Sequence, residues 1–123
     1  MSDPKMTNLD IRCAELGRAL ATISGVEEKI INNALTVLEE QGPYAMFLYL
    51  KARHNNVASG ISAESLKFLQ LIFNARLNNV QDVLEATKKL ADSLDDLLFA
   101  RDLLRTALSY ARYHLKANGD KTR

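Results

Sequence analysis

The sequence predicts an all-α protein, a compact bundle of five or six helices in one domain. Apolar residues recur at intervals of three and four, as one face of an amphipathic helix requires. The pattern contains no convincing strand. The length of 123 residues suits a single domain with its own core. We expect this domain to span residues 7–117, between a disordered tail at 1–6 and a flexible basic tail at 118–123.

The first two predicted helices are separated by Ser24-Gly25. The apolar face of the first helix consists of Leu9, Cys13, Leu16, Leu20 and Ile23. Ser24 and Glu27 fit a capping box, in which a hydroxyl and a carboxylate bind amide groups at the start of the second helix. The second helix is predicted to end at Gly42, and its core face consists of Val26, Ile30, Ile31, Ala34 and Leu38.

A third helix is predicted to begin at Pro43, because the first turn of a helix needs no amide donor. Residues 44–50 are apolar throughout, so their period alone does not distinguish a helix from a buried strand. The helix-favouring residues and the continuation Lys51-Ala52-Arg53 favour a helix, either central or shared between core and partner. Residues 54–61 contain Asn, Ser and Gly and are predicted to form a loop.

The second half of the chain continues the helical pattern. Ser62 is predicted to cap a fourth helix, and residues 62–91 form one kinked helix or two, depending on whether Asn78-Asn79 interrupts them. Asp92-Ser93 opens the last helix, which we expect to end at Asn118-Gly119.

The sequence contains little that indicates catalysis, a metal site or a membrane span. His54 and His114 have no further His or Cys at ligand spacing, and no Gly-rich phosphate loop is present. Cys13 is the single cysteine; it is predicted to be a small core residue in a protein of the reducing cytoplasm. No stretch approaches the ~18–20 apolar residues of a membrane span, and the first residues do not form a signal peptide. We therefore expect no enzyme and no cofactor, with a small enzyme as the weakest hypothesis.

Charge is distributed unevenly along the chain. Residues 1–48 carry four bases and seven acids, a net charge of −3, whereas residues 49–123 carry twelve bases and eight acids, a net charge of +4. In the last helix, four bases fall within about 60° of one another at 100° per residue, on a line about 20 Å long. We call this set the basic stripe: Arg101, Arg105, Arg112 and Lys116. Asp102 is the one acid that the sequence places beside it.

The basic stripe has two interpretations. Its long side chains can border the core and cover apolar surface with their stems, or they can bind a line of phosphates without reading bases. Tyr113 lies close enough to stack on a base. Lys51 and Arg53, together with His54, are a second candidate basic patch at the end of the third helix.

Two segments resemble a known family. Residues 38–51, Leu-Glu-Glu-Gln-Gly-Pro-Tyr-Ala-Met-Phe-Leu-Tyr-Leu-Lys, resemble the mid-chain helix, glycine and apolar helix of the small subunit of type III CRISPR effector complexes. Residues 104–117, Leu-Arg-Thr-Ala-Leu-Ser-Tyr-Ala-Arg-Tyr-His-Leu-Lys-Ala, resemble the last helix of the same subunits. The mid-chain segment favours the type III-B branch over type III-A.

The resemblance implies a non-catalytic subunit of an RNA-guided ribonucleoprotein in antiviral defence. Several copies would stack beside other subunits of the complex and bind the guide or target RNA backbone without reading its sequence. The basic stripe would face phosphate, and other subunits would perform cleavage. The alternative is a helical protein–protein adaptor or homodimerisation module with no nucleic-acid role, which would use the apolar segment 44–50.

Overall fold

The computed structural model describes the backbone of residues 8–122 and the side chains of residues 8–118. This part of the chain forms seven α-helices and no β-strand, which confirms the all-α fold, with more helices than the five or six expected. They are α1 (Asn8–Ala21), α2 (Glu28–Gln41), α3 (Pro43–Arg53), α4 (Asn55–Ile72), α5 (Asn74–Leu77), α6 (Val83–Leu90) and α7 (Leu94–Thr122). The predicted tail at 1–6 lies outside the described residues, as do the side chains of residues 119–123.

The longest helix, α7, is the central element, and α1 and α2 pack along it as a hairpin. The Cys13 thiol in α1 donates to the Leu103 carbonyl oxygen over 3.5 Å, and Gly17 lies one turn further along both helices, against Ala107. α1 therefore runs parallel to α7. α2 runs antiparallel to α7, because its last turn reaches Arg105 and its first turn reaches Lys116.

α4 packs antiparallel to α1, and α3 and α6 complete the bundle. The end of α1 approaches the beginning of α4, where Gly60 lies against Ile23, while Leu16 and Phe68 meet at the other end. All seven helices contribute to one continuous core. Its largest fully buried side chains include Leu20, Ile31, Leu38, Phe47, Leu50, Ile61, Leu69, Leu77, Leu90, Leu104 and Leu108.

The predicted capping box at the start of α2 is wrong. Gly25 adopts a positive φ of 90°, so the chain makes a turn between α1 and α2 that includes Ser24. Glu27 is the N-cap, with extended backbone and no side-chain cap bond. Ile23 and Val26 lie in this turn and pack against the core. The second helix therefore begins only at Glu28.

The helical prediction for residues 44–50 is confirmed, and α3 begins at Pro43 as expected. Gly42 ends α2 at a positive φ of 97°, a conformation that glycine adopts without a steric penalty. Met46, Phe47 and Leu50 are buried, whereas Tyr44 and Leu48 are 42% and 46% exposed. α3 is therefore apolar on both its core side and its solvent side.

The predicted loop at 54–61 and the predicted cap at Ser62 are both wrong. α4 begins at Asn55, and His54 alone separates it from α3. Val57, Ala58 and Ile61 are buried at helical spacing, and the amides of Val57 and Ala58 both donate to the His54 carbonyl oxygen. Burial of this apolar face outweighs the low helix propensity of the Asn, Ser and Gly residues around it.

Residues 62–91 form neither one helix nor two. They contain most of α4, the single turn α5 and the short helix α6, with a turn at Asn78-Asn79 where the sequence predicts a break. The predicted start of the last helix is confirmed, since the Asp96 amide donates to Ser93 Oγ over 3.3 Å. Its predicted end is wrong, because α7 continues to Thr122. A glycine inside a helix costs only about 1 kcal/mol, so Gly119 need not stop it.

Candidate nucleic-acid interface

The basic stripe lies along α2. Three of its side chains contact α2 residues, in the pairs Arg105 with Glu39, Arg112 with Asn32, and Lys116 with Glu28. The helices are antiparallel, so the contact residues run in opposite directions along the two helices. From Glu39 to Asn32 to Glu28 the intervals are seven and four residues, the same as from Arg105 to Arg112 to Lys116. The expectation that Asp102 is the one acid beside the stripe is wrong, since α2 contributes two more carboxylates.

Arg105 is fully engaged by acids. Its guanidinium donates from Nε to Oε2 of Glu39 and from Nη2 to Oε1 of the same carboxylate, the latter over 3.3 Å. Nη1 donates to Asp102 Oδ1 over 3.0 Å. Paired hydrogen bonds to two oxygens are also the way in which arginine binds a phosphate. Glu39 therefore occupies the position that a phosphate would take on Arg105.

The electrostatics of this contact favour its ionised form. The hydrogen bond from Arg105 lowers the pKa of Glu39 below its ordinary value, against a smaller effect of desolvation and with help from the charges of Arg105 and Arg101. The hydrogen bond from Glu39 likewise raises the pKa of Arg105. The contact is thus a charged pair at neutral pH.

This pair predicts a small acid dependence of stability. A carboxyl group whose pKa is lowered by folding stabilises the protein fully at pH values above its unfolded pKa, near 4.5. This stabilisation is lost as the pH falls from there through the pKa that the group has in the folded protein. We expect the urea midpoint of the wild type to fall more steeply below pH 4.5 than that of Glu39→Gln. Glu40→Gln, on the same helix, should follow the wild type. Parallel profiles for wild type and Glu39→Gln would contradict the assignment.

Arg112 is held differently, by neutral groups. Its Nη1 donates to Asn32 Oδ1 over 3.4 Å, and its Cζ lies 5.8 Å from the ring centroid of Tyr113, which is 63% exposed. It faces an open groove of about 600 Å³ between α2 and α7, lined by Asn32, Leu35, Thr36, Glu39, Glu40 and Arg112. Within the described residues no carboxylate binds this guanidinium, and Glu39 and Glu40 line the same groove.

The two ends of the basic stripe differ in accessibility. Arg101 Nε is shielded from solvent and has no hydrogen-bond partner among the described residues. Lys116 Nζ lies 3.8 Å from Glu28 Oε2, and the lysine side chain is 63% exposed. An ion pair so exposed contributes little, about 0–1 kcal/mol, so Lys116 can exchange its partner at low cost.

Lys51 and Arg53 lie in the last turn of α3, and both are exposed. Within the described residues neither makes an ion pair, and no hydrogen bond or ion pair joins them to the basic stripe. His54 contacts Tyr49 of α3, with Nε2 3.3 Å from the Tyr49 hydroxyl and the two rings edge to face. Lys51 borders a separate cleft between α3, α4 and α6.

The single cysteine lies in the core. Cys13 is 1% exposed, and burial raises the pKa of its thiol to about 11, with a smaller contribution from Asp10. The thiol is protonated and unreactive at neutral pH. Among residues 8–118, no three His, Cys, Asp or Glu side chains are grouped so that they could hold a metal ion. Within the described chain, no helix combines the length and apolar character needed to cross a membrane.

Glu28, Asn32 and Glu39 were not predicted from the sequence as neighbours of the basic stripe. The signal that could have found them is the matched spacing of polar residues on α2 and α7, intervals of four and seven read in opposite directions. That match becomes informative only once the two helices are known to be antiparallel.

No protein-family model, curated protein or solved structure matches this chain.

Proposed function

We propose that the protein is a non-catalytic small subunit of an RNA-guided ribonucleoprotein of the type III CRISPR class, with the III-B branch favoured. In this role it acts in the cytoplasm, stacks in several copies beside other subunits, and binds the guide or target RNA backbone through α7. The support is the all-α fold, the resemblance of residues 38–51 and 104–117, and the basic stripe.

The observation that carries the proposal is the state of Arg112. Its guanidinium has neutral partners, Asn32 and the Tyr113 ring, and it faces an open groove. Arginine binds phosphate strongly, and an exposed tyrosine beside it offers a surface on which a base can stack. We therefore place the main RNA contact at Arg112, with Lys116 next to it.

The other basic residues have lesser roles in this proposal. Arg105, and Arg101 beside it, contribute only where a phosphate displaces Glu39, because that carboxylate already binds Arg105. Lys51 and Arg53 are exposed and unpaired among the described residues, so they provide a second contact for a chain of phosphates.

The test is fluorescence anisotropy of labelled single-stranded RNAs of increasing length, at low and at physiological salt. A single copy makes few phosphate contacts and should bind weakly, while stacked copies on a longer RNA should gain avidity. We expect affinity to rise with RNA length and to fall as salt increases. Absence of binding at every length, even at low salt, would contradict RNA binding by the isolated chain.

The alternative is a protein–protein adaptor or homodimerisation module. It is favoured by one observation, the solvent-facing apolar side of α3, where Tyr44 is 42% and Leu48 is 46% exposed. Without RNA binding, this surface becomes the leading candidate, and light scattering would report whether the chain associates with itself.

A further inference from the structure

A second, smaller cleft lies between α3, α4 and the beginning of α6. Its volume is about 190 Å³. The apolar part of its wall consists of Phe47, Ala58, Val83 and Leu84, and the polar part consists of Lys51, Asn55, Ser59, Ser62 and Asp82. Of these residues, only Lys51 figures in the function proposed above.

The polar side chains of α4 in this cleft are not used by the fold. Asn55, Ser59 and Ser62 are four and three residues apart, which places them on one side of the helix. None of the three side chains, nor that of Lys51, has a hydrogen-bond or ion-pair partner among the described residues. Their donors and acceptors are therefore available to a ligand.

The two charged groups of the cleft limit what that ligand can be. Asp82 is the N-cap of α6, where its Oδ1 accepts from the Leu84 amide over 3.3 Å. A carboxylate repels phosphate but accepts hydrogen bonds from hydroxyl groups, including those of a ribose. Lys51, in contrast, attracts phosphate. A ligand that satisfies both carries hydroxyl groups next to a phosphate.

The size of the cleft selects a fragment rather than a free cofactor. Pockets for drug-sized ligands have volumes of about 300–1,000 Å³, and this cleft is smaller. It is large enough for one sugar with its phosphate, with the rest of the chain outside.

We propose that this cleft binds a ribose-phosphate unit of single-stranded RNA, and that it makes the protein prefer RNA to DNA by contacting the 2′-hydroxyl. Lys51 binds the phosphate, while the 2′-hydroxyl, the one free hydroxyl of a ribose within the RNA chain, donates to Asp82 and accepts from Ser59 and Ser62. The 2′-hydroxyl, a donor and an acceptor, is the group by which proteins distinguish RNA from DNA. This inference rests on the proposed RNA-binding function and adds its sugar specificity.

The experiment compares two labelled oligonucleotides of one base sequence, an RNA and a DNA that contains deoxyuridine in place of thymidine, so that they differ only in the sugar. Anisotropy at low salt gives both affinities. We expect the wild type to bind RNA about fivefold more tightly than DNA, the effect of one good hydrogen bond.

Three variants separate the roles of the cleft residues. Ser59→Ala with Ser62→Ala should bring RNA affinity down to that of DNA and leave DNA affinity unchanged. Asp82→Asn keeps a good helix cap and should also reduce the difference between RNA affinity and DNA affinity. Lys51→Ala should lower the affinity for RNA and the affinity for DNA by the same factor. Ser24→Ala, in the turn between α1 and α2, is the control, and circular dichroism verifies that each variant is folded.

Each outcome bears on the inference. Equal affinity of the wild type for RNA and DNA, or a preference that survives the double serine variant, overturns the sugar-reading cleft and leaves the proposed RNA binding intact. Absence of binding to either oligonucleotide overturns both. A loss of RNA preference confined to the cleft variants supports the inference.

Discussion

Replacing Gly17 with alanine is expected to lower the free energy of unfolding by about 2 kcal/mol. A Cβ at this position would lie 2.5 Å from Tyr110 Cβ, 2.7 Å from the Ala107 carbonyl oxygen and 2.9 Å from the Ala111 amide nitrogen. Two of these atoms are backbone, so α1 and α7 must separate to admit the methyl group. Overpacking of this kind costs about 1–3 kcal/mol, and the higher helix propensity of alanine offsets up to about 1 kcal/mol of that cost. Because the close atoms are backbone, we place the overpacking cost at the upper end of its range, which leaves a net loss of about 2 kcal/mol.

Gly60→Ala is the matched control, because Gly60 is also inside a helix and packs closely, against Ile23 in the turn after α1. Its added Cβ would meet only side-chain carbons of Ile23, at 3.2 to 3.4 Å, and a side chain can move more easily than backbone. We expect its free energy of unfolding to lie within about 1 kcal/mol of the wild type, since the propensity gain offsets the contact. Urea denaturation measures both variants. Equal effects at the two glycines would show that the α1–α7 contact is not as close as described.

Arg112→Glu is expected to lower affinity for single-stranded RNA about tenfold at low salt and to reduce the salt dependence by about one counterion. The physical reason is that this guanidinium has no carboxylate partner to lose, so its charge is available to phosphate. Arg105→Gln should have a much smaller effect, because Glu39 and Asp102 already bind that side chain. Glu39→Gln should raise RNA affinity, since it frees Arg105.

The control for charge is Lys67→Glu, which makes a comparable change of net charge on α4, in the groove between α1 and α4. The two charge reversals are compared at physiological salt, where a distant charge is screened. There Lys67→Glu should leave RNA affinity within about threefold of the wild type, and Arg112→Glu should lower it further. Losses of equal size for Arg105→Gln and Arg112→Glu would mean that the carboxylates of α2 do not compete with RNA. In that case the basic stripe would act as one surface.

Local features of this protein follow from the sequence alone. Pro43, Gly42 and Ser93 specify helix boundaries through backbone chemistry that involves only their near neighbours. The spacing of apolar residues specifies the buried faces of α1 and α2 except at Leu9, which is exposed. The same periodicity places Arg105, Arg112 and Lys116 on one side of α7.

The other features of the protein were decided by its tertiary structure, because each of them depends on contacts between residues that are distant in the chain. Residues 55–61 are helical since their apolar face is buried, although their Asn, Ser and Gly residues favour a turn. The basic stripe is partly neutralised by α2, whose Glu39 and Glu28 lie 66 and 88 residues before Arg105 and Lys116. The cleft that we propose for ribose likewise joins side chains of three helices. Helical periodicity determines which side of one helix a residue occupies, but only the packing of the bundle determines which residue faces it.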